Sequence, residues 1–358
     1  MNMKNIFKFL IVSLTAMSLS VANAGELSIS GDVKASYSVT AGDGSGGGVN
    51  TNPGLGISNE FSLKASGELD NGIAWSYAQD IDDATVQDDA SIALTGGFGT
   101  VKICVSECGL GSDNAGSQSV ISRPSDTSYA EAMTDTYEID GYNSIQYHSP
   151  ADLLPLGITF KVGYAPSTVA NANASYKKAG AVNDQVASAD SAAAGGITLD
   201  AGGKTATHYR VDAAPIDGLK IGADYFETSS VVGSPDQKPE SGAYYATYAA
   251  GPATIGYNKS YAALAVSGIS DVVEYVENTK YSVAFNVNDN LSISYENEES
   301  EPNTTANSAT YTLESTGVQA TYTMGGMTLG VAHNEHENAA YTQNKDVKDT
   351  VFSLVLAF

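Results

Sequence analysis

The chain has 358 residues and carries 41 acidic against 17 basic side chains, a formal net charge of −24, which argues against nucleic acid and anionic lipid as partners. Glycine and tyrosine are abundant at 36 and 21, whereas Trp, His and Cys number 1, 4 and 2, a composition that suits strands, turns and membrane interfaces better than an enzyme active site. Two cysteines are too few for a disulfide framework.

Residues Met1 to Ala24 hold Lys4 and Lys8, an apolar run from Ile6 to Leu19, and a close on Ala22-Asn23-Ala24. A charged start, an apolar centre and a small-x-small end predict an export signal, cleaved so that the mature chain begins at Gly25. A membrane anchor is the alternative, but the run is short of the about 20 residues that cross a bilayer. Residues 25–358 form one domain and contain no further run long enough for a transmembrane helix.

From Glu26 the pattern alternates with period two. Leu27, Ile29, Val33, Ala35 and Tyr37 are apolar, while Ser28, Ser30, Asp32, Lys34 and Ser36 between them are polar. Sixteen such segments follow, near 26–39, 56–69, 73–80, 90–95, 100–105, 142–149, 157–165, 204–213, 218–227, 241–249, 253–262, 273–287, 290–298, 308–323, 327–334 and 347–358. Tight turns fall at Asp70-Asn71-Gly72, Gly96 to Gly99, Pro215 to Gly218, Gly251-Pro252, Asn288 to Asn290 and Gly325-Gly326. Longer links lie near 40–55, 81–89, 106–141, 166–203, 228–240, 263–272, 299–307 and 335–346. The predicted fold class is therefore all-β: a transmembrane antiparallel barrel of sixteen strands with short periplasmic turns and long extracellular loops.

A soluble sandwich also alternates, so the aromatic residues have to discriminate. Tyr37, Tyr77, Tyr164, Tyr225, Tyr257 and Tyr295 all sit on the apolar parity of their strands near a long link, as an interfacial girdle requires. The chain ends with Phe352, Leu354, Leu356 and Phe358 on one face, a hazard as a free edge but suitable for a closing strand.

Three stretches carry a family likeness: Ser91-Ile92-Ala93-Leu94-Thr95-Gly96-Gly97-Phe98-Gly99-Thr100-Val101-Lys102, Asn143-Ser144-Ile145-Gln146-Tyr147-His148-Ser149-Pro150, and the terminal Phe358. Here the chain resembles the trimeric sixteen-stranded general-diffusion porins of Gram-negative bacteria. The resemblance implies an outer-membrane location among lipid and lipopolysaccharide, a homotrimer, a long third loop folded into the lumen, and assembly by barrel machinery reading the last strand. The chain departs from that pattern where Ile103-Cys104-Val105 replaces the usual Gly-Arg pair, and only Arg123 and Arg210 are arginines.

The wide lumen of such a barrel takes its selectivity from the charges at its narrowest point. Lys34, Lys64, Lys102, Lys161, His208, Arg210, Lys220 and Lys280 fall on the polar parity as a basic wall. The link 106–141 is the candidate constriction loop, with Glu107, Asp113, Asp126, Glu131, Asp135, Glu138 and Asp140 set against Arg123. The alternative for these acids is a solvated outer loop. The alanine-rich loop 166–203 suits an external cap.

Cys104 and Cys108 can bridge only if Val105 to Glu107 turn sharply, because four extended residues span about 13 Å. An oxidising compartment favours the bridge; free thiols or a metal site are the alternatives. Asp80, Asp82, Asp83, Asp88 and Asp89 form a weak Ca²⁺ or Mg²⁺ candidate that lacks the glycine and glutamate of an EF-hand, so a solvated acidic loop competes with it, and no other cofactor is expected. Gly44 to Gly48 reads as a flexible loop, because no helix start follows it. His333 and His336 show no evident serine or metal partner. The expected function is an outer-membrane channel for passive diffusion of small hydrophilic solutes, preferring cations and not enzymatic, with a substrate-specific porin as the alternative.

Overall fold

A computed structural model describes residues 26–42, 53–82, 85–105, 108–111, 115–127, 130, 132, 135–166, 205–229, 237–263, 273–304 and 311–358. The expected signal segment, the Gly44 to Gly48 loop and the loop from 167 to 203 lie outside them. The strands are β1 (Glu26–Gly42), β2 (Gly54–Glu68), β3 (Ala74–Asp82), β4 (Thr85–Gly96), β5 (Gly99–Val105), β6 (Ser144–His148), β7 (Thr159–Ala165), β8 (Ala206–Ile216), β9 (Leu219–Thr228), β10 (Glu240–Ala250), β11 (Ala253–Ala263), β12 (Val273–Asn286), β13 (Leu291–Thr304), β14 (Leu313–Met324), β15 (Met327–Glu337) and β16 (Val347–Ala357). Every strand pairs antiparallel with the next, and β16 returns to β1, so the sheet is a closed barrel. Sixteen alternating segments thus become sixteen strands, and the only helical turns among the described residues are four of 3-10 type.

Two links expected as loops are strand instead. The link at 81–89 shrinks because β3 reaches Asp82 and β4 begins at Thr85, with irregular register that sets Asp80 opposite Asp88. The acidic stretch after Glu298 continues β13 to Thr304. Carboxylates look like loop residues in isolation, but pairing with a neighbouring strand, β12 for 301–304 and β3 for the start of β4, overrides that preference.

The register fixes which side chains share a face. Lys34 lies opposite Ser58 and Val355, Lys102 opposite Ala93 and Gln146, Lys161 opposite His148 and Arg210, and Lys280 opposite Asn258 and Glu298. This polar face points inward. The opposite face carries Leu27, Ile29, Leu55 and Ile57, all at least 65% exposed, together with Ile255, Val318, Leu329 and Phe352. The six tyrosines of the expected girdle all lie on that outer face; Tyr257, for example, stacks between Tyr244 and Tyr281 at centroid distances of 6.1 and 5.2 Å. Glu296, Glu298 and Asn278, by contrast, are 0% exposed inside. A barrel that is oily outside and polar inside is inverted relative to a soluble protein and fits hydrocarbon around it.

Closure depends on the chain terminus. Gly31 N donates to Phe358 O and Phe358 N to Gly31 O, both at 3.0 Å, and the Phe358 ring packs on Phe61 at 5.6 Å. A Cβ at Gly31 would meet that ring at 3.3 Å and press harder still on the Glu60 carbonyl. Gly31→Val and deletion of Phe358 should each lower the fraction of heat-modifiable, folded barrel on gels, whereas Lys345→Ala in a link should not.

Candidate functional site

The segment between β5 and β6 does not project outward; it lies against the inner wall. At its root Cys104, the last inward residue of β5, is joined to Cys108 by a disulfide with a Cα–Cα distance of 6.0 Å. The chain then crosses three strands sideways. Cys108 O accepts from Gln146 Nε2 of β6 at 2.5 Å, Leu110 O from Lys161 Nζ of β7 at 3.2 Å, and Gly111 O from Arg210 Nη1 of β8.

Farther along, the loop is held by β11 to β15. Ala115 O accepts from Asn258 Nδ2 at 2.9 Å and Gly116 O from Ser282 Oγ at 3.0 Å. Ser117 and Ser119 donate to Glu296 at 2.5 and 2.8 Å, and Ile121 N donates to Gln319 Oε1 at 2.9 Å. Ser125 gives both its N–H and its hydroxyl to Glu298, at 3.0 and 2.8 Å. Small wall residues leave room for this: a Cβ on Gly317 would sit 2.6 Å from the Pro124 ring. The return limb binds Ser241 of β10 through both the N–H and the carbonyl of Tyr137. Leu110, Tyr137 and Ile139 then pack with Ala165, Ala206, Phe226, Ala262 and Val276, an apolar patch on an otherwise polar wall.

The single arginine of the loop is paired within it. Arg123, 5% exposed, reaches Asp126 and Asp135 at 2.5 Å each, and Asp126 also accepts from the Arg123 N–H at 2.9 Å. Burial works against the Arg123 charge, but Asp135, Asp126 and Glu298 outweigh it and hold the guanidinium protonated well above its usual range. For Asp135 burial also opposes ionisation, yet Arg123 and Lys280 prevail and keep its carboxyl below the ordinary range. Asp126 ends raised, because burial outweighs the pull of Arg123.

Of the acidic residues expected to line a constriction, Asp126 and Asp135 therefore clamp Arg123. Glu138 is buried and accepts from Gly111 N at 3.3 Å, joining the return limb to the root. Asp140 is the middle residue of the short turn Ile139–Gly141, while Glu107, Asp113 and Glu131 lie outside the described residues. Of the basic wall, Lys161 and Arg210 hold loop carbonyls. Lys34, Lys64, Lys102 and Lys220 are inward on β1, β2, β5 and β9. In the acidic candidate group, the side chains of Asp82, Asp83, Asp88 and Asp89 are not among those described, and Asp80 alone can be placed, on the inner face.

Lys280 falls on the expected inward basic wall, but the other wall groups of the contact, Glu296, Glu298 and Gln319, escaped the sequence reading. So did the partners of His336, whose Nδ1 lies 2.9 Å from Ser315 Oγ and whose Nε2 lies 3.1 Å from both Asp349 Oδ1 and Thr127 Oγ1. Ser315, His336 and Asp349 are each at most 1% exposed beneath the loop, so this trio cannot meet a substrate and instead fastens Thr127.

The architecture is that of the sixteen-stranded outer-membrane porins. No protein-family model matches the chain, and no curated protein does. Among solved structures the chain is similar to in-vitro folded OmpT, an outer membrane protein of Vibrio cholerae, in its trimer form (TM-score 0.61, 13% identity, 94% of this chain and 100% of that one). It is also similar to Salmonella typhi OmpF in complex with daunomycin (0.62, 11%, 94% and 98%) and to an anion-selective porin from Comamonas acidovorans (0.59, 10%, 93% and 100%).

Lys280 and Glu298 face each other at 3.7 Å with at most 3% exposure. Lys280→Met removes the nearest cation of Glu298, leaving it only the more distant Arg123, and should cost about 3 kcal/mol, read as faster amide hydrogen exchange over 115–127 with the barrel strands still protected. Acid should act in two stages. The raised Asp126 protonates first, at no cost to the fold. Asp135, whose native value is depressed, contributes stability above its unfolded value near ~3.9 and loses it only as pH falls through the lower native one. Exchange over 115–127 should therefore stay slow through the ordinary carboxylate range and quicken below it, and Arg123→Gln should abolish that protection at every pH.

Proposed function

We propose that the protein is an outer-membrane diffusion porin, and that solutes pass between the inward loop and the wall formed by β16 and β1 to β5. The observation that supports this is where the described residues of the loop are held: the hydrogen bonds named above go to β6 to β8 and β10 to β15. The remaining wall presents Ser28, Ser30, Ser36, Ser58, Ser62 and Ser66, with Asp32, Lys34, Glu60, Lys64 and Lys102 among them. Short hydroxyls leave width and offer hydrogen bonds to any small hydrophilic solute.

The loop's excess of carboxylates over its one arginine lies opposite a wall bearing Lys34, Lys64 and Lys102, which supports a transverse field across the passage. The surplus of carboxylates on the chain supports a modest preference for cations. In a planar bilayer the protein should give stepwise conductance, and a KCl gradient should give a reversal potential of cation-selective sign; a chloride preference would count against this part of the reading.

We also propose a homotrimer that packs through the exterior of β1 to β5. Outward positions there are Val33, Ala35, Tyr37, Ile57, Leu63, Tyr77, Ile92 and Ile103, with no charged side chain among those described, whereas the exterior of β9 to β16 bears Glu227, Glu240, Lys259, Glu277, Glu299, Glu314, Glu335 and Lys348. A second copy covers a charge-free face without desolvating ions; the charged band then faces lipid headgroups and lipopolysaccharide. The final strand offers Phe352, Leu354, Leu356 and Phe358 to the barrel assembly machinery. Ile57→Lys should reduce the trimer fraction in mild detergent, measured by light scattering, while Val318→Lys on the opposite side should leave it unchanged.

A further inference from the structure

We infer that the Cys104–Cys108 disulfide, Gln146, Lys161 and Arg210 form one positioning device that sets the stand-off of the loop from the open wall, and hence the size limit of the pore; this rests on the porin reading above. The disulfide turns the chain out of the strand direction. Four extended residues would carry Cys108 about 13 Å up from Cys104, yet the two Cα atoms are 6.0 Å apart. The next residues are thereby aimed across β6, β7 and β8.

On that path three carbonyls, of Cys108, Leu110 and Gly111, meet one donor from each strand in turn: Gln146, Lys161 and Arg210. Lys161 and Arg210 are cross-strand neighbours, and Gln146, opposite Gly163, sits two residues off their line, so the donors form an oblique row across the three strands. The last donor is itself immobilised. Arg210 Nε reaches both oxygens of Asp212 at 3.0 and 2.9 Å, and the guanidinium lies 5.4 Å over the Tyr245 ring. Tyr245 Oη donates in turn to Asp212 at 2.7 Å.

The root also governs the return limb, because Gly111 N donates to Glu138. Both limbs therefore move with the three carbonyls. The far limb has its own attachments to Glu296, Glu298 and Gln319, so loosening the root shifts the loop without releasing it. Arg210 and Lys161 act here through the loop and not as free charges in the passage.

The test is a cycle of Cys104→Ser/Cys108→Ser, Arg210→Met and the combined variant, each read as single-channel conductance and as the largest neutral polyethylene glycol that still enters the pore. The expected result is a shifted conductance and polymer limit in each variant, with Arg210→Met shifting the disulfide-free channel less than the intact one. Arg210→Lys, which keeps a donor, should restore part of the shift. If the serine variant does not fold, wild type refolded with dithiothreitol, which closes to its cyclic disulfide as the two thiols form, replaces it after alkylation and mass spectrometry confirm the open bond. An unchanged polymer limit, or strictly additive shifts, overturns the inference. A wild type that never conducts overturns the porin reading instead.

Discussion

A sheet surrounded by hydrocarbon cannot keep an edge, because each unpaired N–H or C=O there costs several kcal/mol with no water to satisfy it. The pairing of β16 with β1 removes the last edge, and the terminal Phe358 extends that seam to Gly31. Everything else follows from closure. Once the sheet is a ring, side chains alternate between lipid and lumen, and the parity that points Tyr37 and Ile57 outward sends Lys34 and Ser58 inward.

Closure creates a second problem, an interior too wide for side chains alone to fill. The loop after β5 occupies one side of it, and the wall behind that loop differs accordingly. Burying Glu296, Glu298 and Lys280 carries a desolvation cost that their mutual attraction only partly recovers. The serine hydroxyls and backbone N–H groups of 117–125 supply what remains, since carboxylate acceptors are among the stronger hydrogen-bond partners available. The polar wall and the loop are thus mutually dependent: without the loop those carboxylates would simply be hydrated, and without them the loop backbone would have no fixed seat.

The barrel was legible because its signal is local. Period two, Gly-Asn-Pro-Asp turns and outward tyrosines all act within about ten residues, and the segments fall on the strands, with shifted limits where acids look like loop, at β8, which runs on through Pro215 to Ile216, and at β14, which begins only at Leu313. Asp80 to Asp89 and Glu299 to Glu301 look solvated on their own, yet in a barrel every second residue of such a run has a lipid-side or lumen-side place waiting. The site was less legible because its contacts are remote. Ser125 and Glu298 are separated by 173 residues, and Thr127 and His336 by 209. Only the register of several strands brings them together. Cys104 and Cys108 were readable as a possible bridge, being close in sequence, whereas the use of Lys161 and Arg210 to hold carbonyls had no signal, since an inward cation looks the same whether it lines a pore or anchors a loop. The inward Gly163 and Gly317 were the available hint, small residues on strands where the loop comes closest.

The same distribution bears on what the net charge of −24 means for permeation. Many of the carboxylates cannot act on a permeating ion. Glu227, Glu240, Glu277, Glu314 and Glu335 lie on the outer face, separated from the lumen by the sheet. Glu296 and Glu298 are buried behind the loop, and Asp126 and Asp135 share the one guanidinium of Arg123. In the proposed passage the field comes from fewer groups: Asp32, Glu60 and Asp80 on the wall against Lys34, Lys64 and Lys102, with the loop opposite carrying seven carboxylates to one arginine. Near-balance on the wall makes any cation preference modest, and salt weakens it further, because the Debye length is about 10 Å at 0.1 M.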